Sequence, residues 1–234
     1  MTQHSVGTEE VQSQRRDVLS SAAARSCAQR DYQGNAPYRI GLTGNIATGK
    51  STVGRMLASL GAELIDADRV AHAVIAPAGS AYAAVIEAFG PDIVDDAGAI
   101  DRRALGRIVF TDPEALKRLE ALVHPAVIAE VNQRIARSTA PAVVVEAIKL
   151  LESGMAESYD ALWVTTCSEE TQLARLMETR GLSREDALVR IRAQAPQAEK
   201  ALRADVVVDT DVTLAATRAQ VEAAWAGLQH HLDR

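Results

Sequence analysis

Short apolar, β-branched runs recur along the chain from Tyr38 onward, at residues 39–42, 62–65, 142–145, 161–165 and 205–208, with helical patterns between them. The run Ala142-Val143-Val144-Val145 is apolar at consecutive positions. A half-exposed strand would alternate; a continuous run suits a strand buried on both faces of a parallel sheet. Strands alternating with helices form βαβ units with right-handed crossovers. The predicted fold class is therefore α/β, with a parallel sheet of about five strands flanked by helices.

Two segments exceed what this scheme needs. Residues 66–141 are far more than the dozen or so that a crossover requires. Their patterning predicts helices at 80–89, 101–110 and 112–137, an inserted helical subdomain spanning about 79–139. Asp112-Pro113-Glu114 is a helix start, with an N-cap, a first-turn proline and an early acid. Pro125 is expected to break or kink that helix near His124. Residues 168–203 read as a basic helical pair split at Gly181, with a capping box at Ser183-Arg184-Glu185-Asp186. Residues 1–37 lack apolar periodicity and are read as a disordered extension, with an Ala-rich stretch at 17–28 long enough for a short helix. The domain proper is expected to span 38–230, its core formed by 38–78 and 140–230.

Composition narrows the class. Hydrophobic residues make up 47% and charged residues 24%, the balance of an ordinary globular protein. No window approaches the ~20 apolar residues of a membrane helix, and the first residues hold no apolar signal core, so a cytoplasmic protein without membrane attachment is expected. A net charge of −6 and an aromatic content of 3% argue against nucleic-acid binding. Two cysteines, Cys27 and Cys167, provide neither a disulfide framework nor a zinc site, and are read as inert thiols.

The candidate chemistry begins at Gly44-Asn45-Ile46-Ala47-Thr48-Gly49-Lys50-Ser51, a full match to G-x-x-x-x-G-K-[ST]. A predicted strand precedes it and an amphipathic helix, 49–60, follows. The glycines permit close backbone approach. Successive N–H groups can then point at phosphate oxygens, aided by the positive end of the helix. Lys50 would reach the β and γ phosphates and the Ser51 hydroxyl a Mg²⁺ ion.

Ligands of open α/β sheets sit beyond the carboxyl ends of the strands. The second strand runs into Asp66-Ala67-Asp68, and the third ends at Glu146. A hydrophobic run ending in an acid suits Mg²⁺ binding, directly or through water; helix capping is the alternative for either aspartate. Arg175, Arg180, Arg184, Arg190 and Arg192 crowd the 168–203 segment. They form either a solvated face or a lid that closes over a nucleotide and neutralises charge on the transferring group. Residue chemistry thus reaches Mg-nucleotide-dependent phosphoryl transfer, with GTPase, ATPase and non-catalytic nucleotide-binding modules as rivals. Asp95-Asp96-Ala97-Gly98 fits D-x-x-G, but no guanine-specifying N-K-x-D or T-K-x-D accompanies it, and it reads as a surface turn.

The string from Ile40 to Val53 resembles dephospho-CoA kinase, as do Ile65-Asp66-Ala67-Asp68, Phe89-Gly90, Ile100-Asp101-Arg102, Leu119-Glu120 with His124-Pro125, Gln172 with Arg175-Leu176, Arg190-Ile191 with Gln194, and Ala204-Asp205. The resemblance covers about 38–228. It implies a P-loop kinase core, a helical acceptor subdomain that binds CoA and a lid. It also implies transfer of the ATP γ-phosphoryl to the ribose 3′-hydroxyl of 3′-dephospho-CoA, with Mg²⁺ as cofactor. On this resemblance Asp68 is the base, Lys50 and Arg175 are catalytic, and Thr43, Asp66 and Asp68 lie near the acceptor. Gly44 to Thr52, that is Gly44, Asn45, Ile46, Ala47, Thr48, Gly49, Lys50, Ser51 and Thr52, bind ATP; Ser51 and Glu146 hold the metal. Another P-loop small-molecule or nucleotide kinase is the alternative. The chain departs from the family at Asn45, Ala47 and Thr48, where glycine-rich residues are usual, and at Lys149, where the family has an apolar residue.

Overall fold

The computed structural model describes residues 36–232. The expected extension, apart from its last two positions, the 17–28 helix and Cys27 lie outside these residues. The chain divides into two compact units, one formed by residues up to Leu64 together with Ala140 onward, the other by Ile65–Thr139.

The first unit contains β1 (Tyr38–Thr43), α1 (Lys50–Ser59), the first half of the short strand β2 (Glu63–Asp66), β3 (Ala142–Glu146) and β4 (Ala161–Thr166). The five-stranded parallel sheet has the order β2-β3-β1-β4-β5, with β5 at Val206–Asp209. β1 sits between β3 and β4, in register Ile40 to Val144 and Ile40 to Ala161. Every residue of β3 is buried, as its unbroken apolar run requires. On one face Ile40, Leu42, Val144 and Trp163 pack with Val53, Met56 and Leu57 of α1, and with Val221 and Trp225 of the C-terminal helix. On the other face Gly41 leaves no room for a side chain: a Cβ there would lie 2.6 Å from Leu150 and 2.9 Å from Tyr159. Arg39 closes the start of β1 with three hydrogen bonds to Asp160, from its backbone N–H at 2.8 Å, Nε at 3.1 Å and Nη2 at 2.8 Å.

The second unit is helical. Its helices are α2 (Ala67–Val74), α3 (Tyr82–Phe89), α4 (Arg102–Val109) and α5 (Pro113–Arg137). Val70 and Val74 of α2, Val85 of α3, Leu105 and Val109 of α4, and Val127, Val131 and Ile135 of α5 are buried. The compact unit begins at Ile65, so it takes in α2, which the sequence pattern had assigned to the core. Asp112 caps α5 as expected, accepting from Glu114 N at 2.9 Å. Of the break or kink expected at Pro125, no break occurs: α5 runs unbroken past it. A proline removes one helical donor and crowds one carbonyl. Here the buried positions Ala115, Val127, Val131 and Ile135 hold the turns on both sides. Asp95 folds 95–99 into a tight turn, accepting from the N–H groups of Ala97 at 3.0 Å and Ala99 at 2.9 Å, so this stretch is a surface turn as its sequence suggested.

The basic segment of the first unit holds three helices where a pair was expected: α6 (Glu169–Arg180), α7 (Arg184–Arg192) and the short α8 (Gln197–Ala201). Gly181 ends α6 in the left-handed conformation at φ 61°. At Ser183 half of the capping box forms on the backbone, Asp186 N donating to Ser183 Oγ at 3.1 Å; the Ser183 hydroxyl itself donates to the Asp186 carboxylate at 2.8 Å. β5 leads into α9 (Leu214–Leu232).

Candidate active site

The loop 44–49 joins β1 to α1 at the carboxyl end of the central strand, where open α/β sheets bind ligands. Gly44 is obligatory by packing, since a Cβ would stand 2.6 Å from Thr165 O. Gly49 caps α1 at φ 83°, a region costly for other residues. Thr48 is fully buried, with its hydroxyl between Asn45 O and Thr165 Oγ1, each at 2.8 Å. Thr210, just past β5, donates from Oγ1 to Thr48 O at 2.9 Å. The loop is therefore held from β1, β4 and β5 together.

Lys50, the first residue of α1, is 8% exposed and folds back along the loop, donating from Nζ to Gly44 O at 2.9 Å and Asn45 O at 3.1 Å. One residue further on, Ser51 Oγ donates to Glu146 Oε1 at 2.7 Å. Glu146 is 8% exposed and ends β3. Two residues 95 apart in sequence thus present hard oxygens side by side. Such a pair suits Mg²⁺, which prefers one or two protein oxygens and keeps its remaining positions for water and phosphate. Among the described residues no group of three or more His, Cys, Asp or Glu forms a metal cage. Thr52 completes the first turn, its N–H donating to Gly49 O at 3.0 Å.

Arg175, on α6, also reaches the loop. Its Nη1 donates to Ala47 O at 3.1 Å and Thr210 Oγ1 at 3.0 Å, and its Nη2 to Thr210 O at 2.7 Å. Ile46 and Ala47 pack against Leu173, Leu176, Ala187 and Ile191 of α6 and α7. Ala47 holds φ 59°, uncommon for a residue with a side chain. The other arginines singled out in this segment, Arg180, Arg184, Arg190 and Arg192, are exposed; Arg192 stands 3.8 Å from Glu169. Thr43, fully buried, donates to Ile148 O at 3.2 Å, and the same carbonyl accepts from Lys200 Nζ at 2.9 Å. Lys200 is itself buried and pairs with Glu152 at 3.0 Å, which fixes the turn that follows β3; Lys149 of that turn is exposed. Cys167 borders the loop base, and burial pushes its thiol up to about 11, so it stays protonated near neutral pH.

Asp66 and Asp68 belong to the helical unit. Asp66 is the N-cap of α2, accepting from Arg69 N at 3.0 Å, while Asp68 is exposed in the first turn. Capping, the alternative weighed for either aspartate, therefore falls to Asp66. Sequence reasoning missed Thr165 and Thr210; their only signal was a hydroxyl at or just past a strand end. Gln172 and Gln194 were noticed through the family resemblance alone, although their side chains bond to the loop backbone.

A parallel sheet with a glycine-bounded loop after its first strand, a buried loop lysine and a serine–carboxylate pair defines a P-loop phosphotransferase. The family model for dephospho-CoA kinase matches residues 38–216. A dephospho-CoA kinase of Symbiobacterium thermophilum is 49% identical over 189 residues, covering 80% of this chain and 79% of its own. A crystal structure from Thermus thermophilus superposes with a TM-score of 0.74 at 38% identity, covering 83% of this chain and 99% of its own. The dephospho-CoA kinase of Campylobacter jejuni gives a TM-score of 0.57 at 28% identity, covering 81% and 96%. The chain belongs to the dephospho-CoA kinase family, whose activity is the final step of coenzyme A biosynthesis and whose phosphoryl donor is ATP.

Proposed function

We propose that the chain transfers the γ-phosphoryl of ATP to the ribose 3′-hydroxyl of 3′-dephospho-CoA, yielding CoA and ADP, with Mg²⁺ held by Ser51 and Glu146. The observation that carries this reading is the 2.7 Å contact between Ser51 and Glu146 directly beside buried Lys50. It gathers phosphate-binding charge and a hard-oxygen pair at the end of one strand. When bound, the magnesium ion neutralises charge on the phosphate oxygens. The loop amides of Gly44 to Thr52 cradle the phosphates, and Lys50 follows the transferring group as its charge redistributes. Arg175, braced on Ala47 and Thr210, adds a fixed positive charge against the loop.

Asp68 orients the acceptor hydroxyl and takes its proton; Asp66, by capping α2, fixes the turn from which Asp68 projects. Thr43 lines the acceptor side. The helical unit supplies the CoA site, in part within 79–139, and 168–203 acts as a lid that excludes water. Among the described residues no helix is long and apolar enough to cross a membrane, and the acidic net charge of −6 is unsuited to gripping nucleic acid; the enzyme works in the cytoplasm on a small-molecule substrate.

A coupled ADP-release assay with dephospho-CoA, adenosine, nucleoside monophosphates, shikimate or no acceptor tests the assignment. Turnover should require dephospho-CoA. Release without any acceptor would point to an ATPase, and turnover with a nucleoside monophosphate to a different kinase.

A further inference from the structure

Ile46 has both backbone polar groups taken by side chains of the 168–203 segment. Its N–H donates to Gln194 Oε1 at 2.7 Å, and its carbonyl accepts from Gln172 Nε2 at 2.6 Å. Gln172 is 1% exposed and is itself held, accepting from Gln197 Nε2 at 3.1 Å; that same nitrogen also donates to Cys167 O at 2.9 Å. Beside them Asn45 donates from Nδ2 to Ala195 O at 2.8 Å. That bond orients the amide and leaves Asn45 Oδ1 buried without a hydrogen-bond partner, an arrangement natural proteins seldom tolerate.

Peptide planarity gives these contacts a consequence. In a trans peptide the N–H and the preceding C=O point in opposite directions, and the described residues contain no cis bond. Gln194, by holding Ile46 N–H, turns Asn45 C=O the other way, and that carbonyl accepts from Lys50 Nζ at 3.1 Å and Thr48 Oγ1 at 2.8 Å. Gln172, by holding Ile46 C=O, turns Ala47 N–H the other way. The two glutamines therefore set two successive peptide planes of the phosphate loop, around the residue that leads into the left-handed Ala47.

We propose that Gln194 and Gln172 are positioning residues: they grip the Ile46 peptide units from outside, aim Ala47 N–H at the bound phosphates and hold the Asn45 carbonyl that seats the Lys50 ammonium. The inference rests on the loop binding ATP as proposed above. It makes the loop's phosphate affinity depend on the segment between α6 and α8, with Asn45 tying the loop to the turn after α7. Where a loop carries residues other than glycine at Asn45 and Ala47, such grips supply the orientation that backbone freedom would otherwise have to find.

The test is Gln194→Met, which keeps the size and removes the acceptor. Calorimetry with ADP and steady-state kinetics with dephospho-CoA are measured alongside the melting temperature. ADP affinity and kcat should each fall by about fivefold or more, the worth of one hydrogen bond. KM for dephospho-CoA should hold. A variant that melts lower but keeps ADP affinity and kcat within twofold of wild type overturns the proposal. Amide exchange of the wild-type loop is the second measurement and needs no variant: the Ile46 amide should be protected, and ADP should add protection at Ala47. Fast exchange at Ile46, or no change at Ala47 in ADP-saturated protein, overturns it even if Gln194→Met does not fold. The ADP calorimetry and the amide exchange involve no acceptor. A wild-type enzyme that binds ADP yet transfers nothing to dephospho-CoA would defeat the proposed function and leave this inference standing.

Discussion

The phosphate loop and the helical unit are stabilised in opposite ways. In the loop, side-chain hydrogen bonds join residues far apart in sequence: Ser51 to Glu146 across 95 positions, Thr48 to Thr165 across 117, Ile46 to Gln194 across 148 and Thr210 to Thr48 across 162. In 65–139 most of them are local. Asp66 bonds three residues on, Asp95 two and four on, Asp101 and Asp112 two on. Asp101 shows the effect of such a cap: the N–H groups of Arg103 and Ala104 hold its carboxyl below the usual range. Local caps stabilise helices and leave their packing adaptable; long-range bonds fix atoms in space. Phosphoryl transfer demands fixed atoms around the phosphates, and the wiring follows that demand.

The contrast is open to direct attack, beginning where damage should be greatest. Lys50→Ala should cut turnover by about 10²–10⁴-fold, because the charge that follows the phosphoryl group is gone. Its melting temperature should change little, and near-normal kcat in folded protein would undo the assignment of the loop. Asp68→Asn asks whether the helical unit also carries chemistry. Asparagine cannot serve as a comparable base, so kcat should drop by about 10²–10⁴-fold with ATP affinity nearly unchanged. Asp66→Asn is its companion and should be mild, since asparagine caps about as well as aspartate. If Asp66 proves indispensable and Asp68 dispensable, the roles within this pair are exchanged.

Arg175→Ala should cost less than the ~10³-fold of an arginine devoted to the transition state. Its donors are spent on Ala47 and Thr210, so the loss should show in both kcat and ATP affinity. An unchanged kcat would reduce Arg175 to a structural brace. The smallest effect belongs to the local side of the comparison. Asp112→Ala removes the α5 cap at a cost of about 1 kcal/mol, lowering the melting temperature by roughly 2–4 °C. Activity at 25 °C should stay within twofold; a tenfold loss would mean that caps in this unit govern the chemistry after all.

Much of this architecture was legible in the sequence. The five apolar runs became the five strands, and the G-x-x-x-x-G-K-S string fell at the junction of β1 and α1, its last two residues opening the helix. Asp112-Pro113-Glu114 started a helix because capping is decided within one turn. Where local reasoning failed, packing had intervened. A break at Pro125 does not occur, because buried residues on either side of it hold α5 together despite the lost backbone bond. α2 escaped notice because eight residues beginning Ala67-Asp68-Arg69 carry too short a period to stand out.

Sequence alone determined the strands, the longer helices and their order, and it narrowed the chemistry to nucleotide-dependent phosphoryl transfer, because periodicity, capping and motif chemistry act over a few residues. Only the tertiary structure decided which distant groups meet. The sequence already assigned Ser51 and Glu146 to one metal ion, but no spacing rule brings Gln172, Gln194 and Thr210 onto the phosphate loop. Those contacts follow from strand order: β1 lies between β3 and β4, so side chains at the ends of neighbouring strands, and from the helices that follow them, converge on the one loop at the end of β1. Periodicity tells which face of a strand is buried; it carries no information about which strand lies alongside.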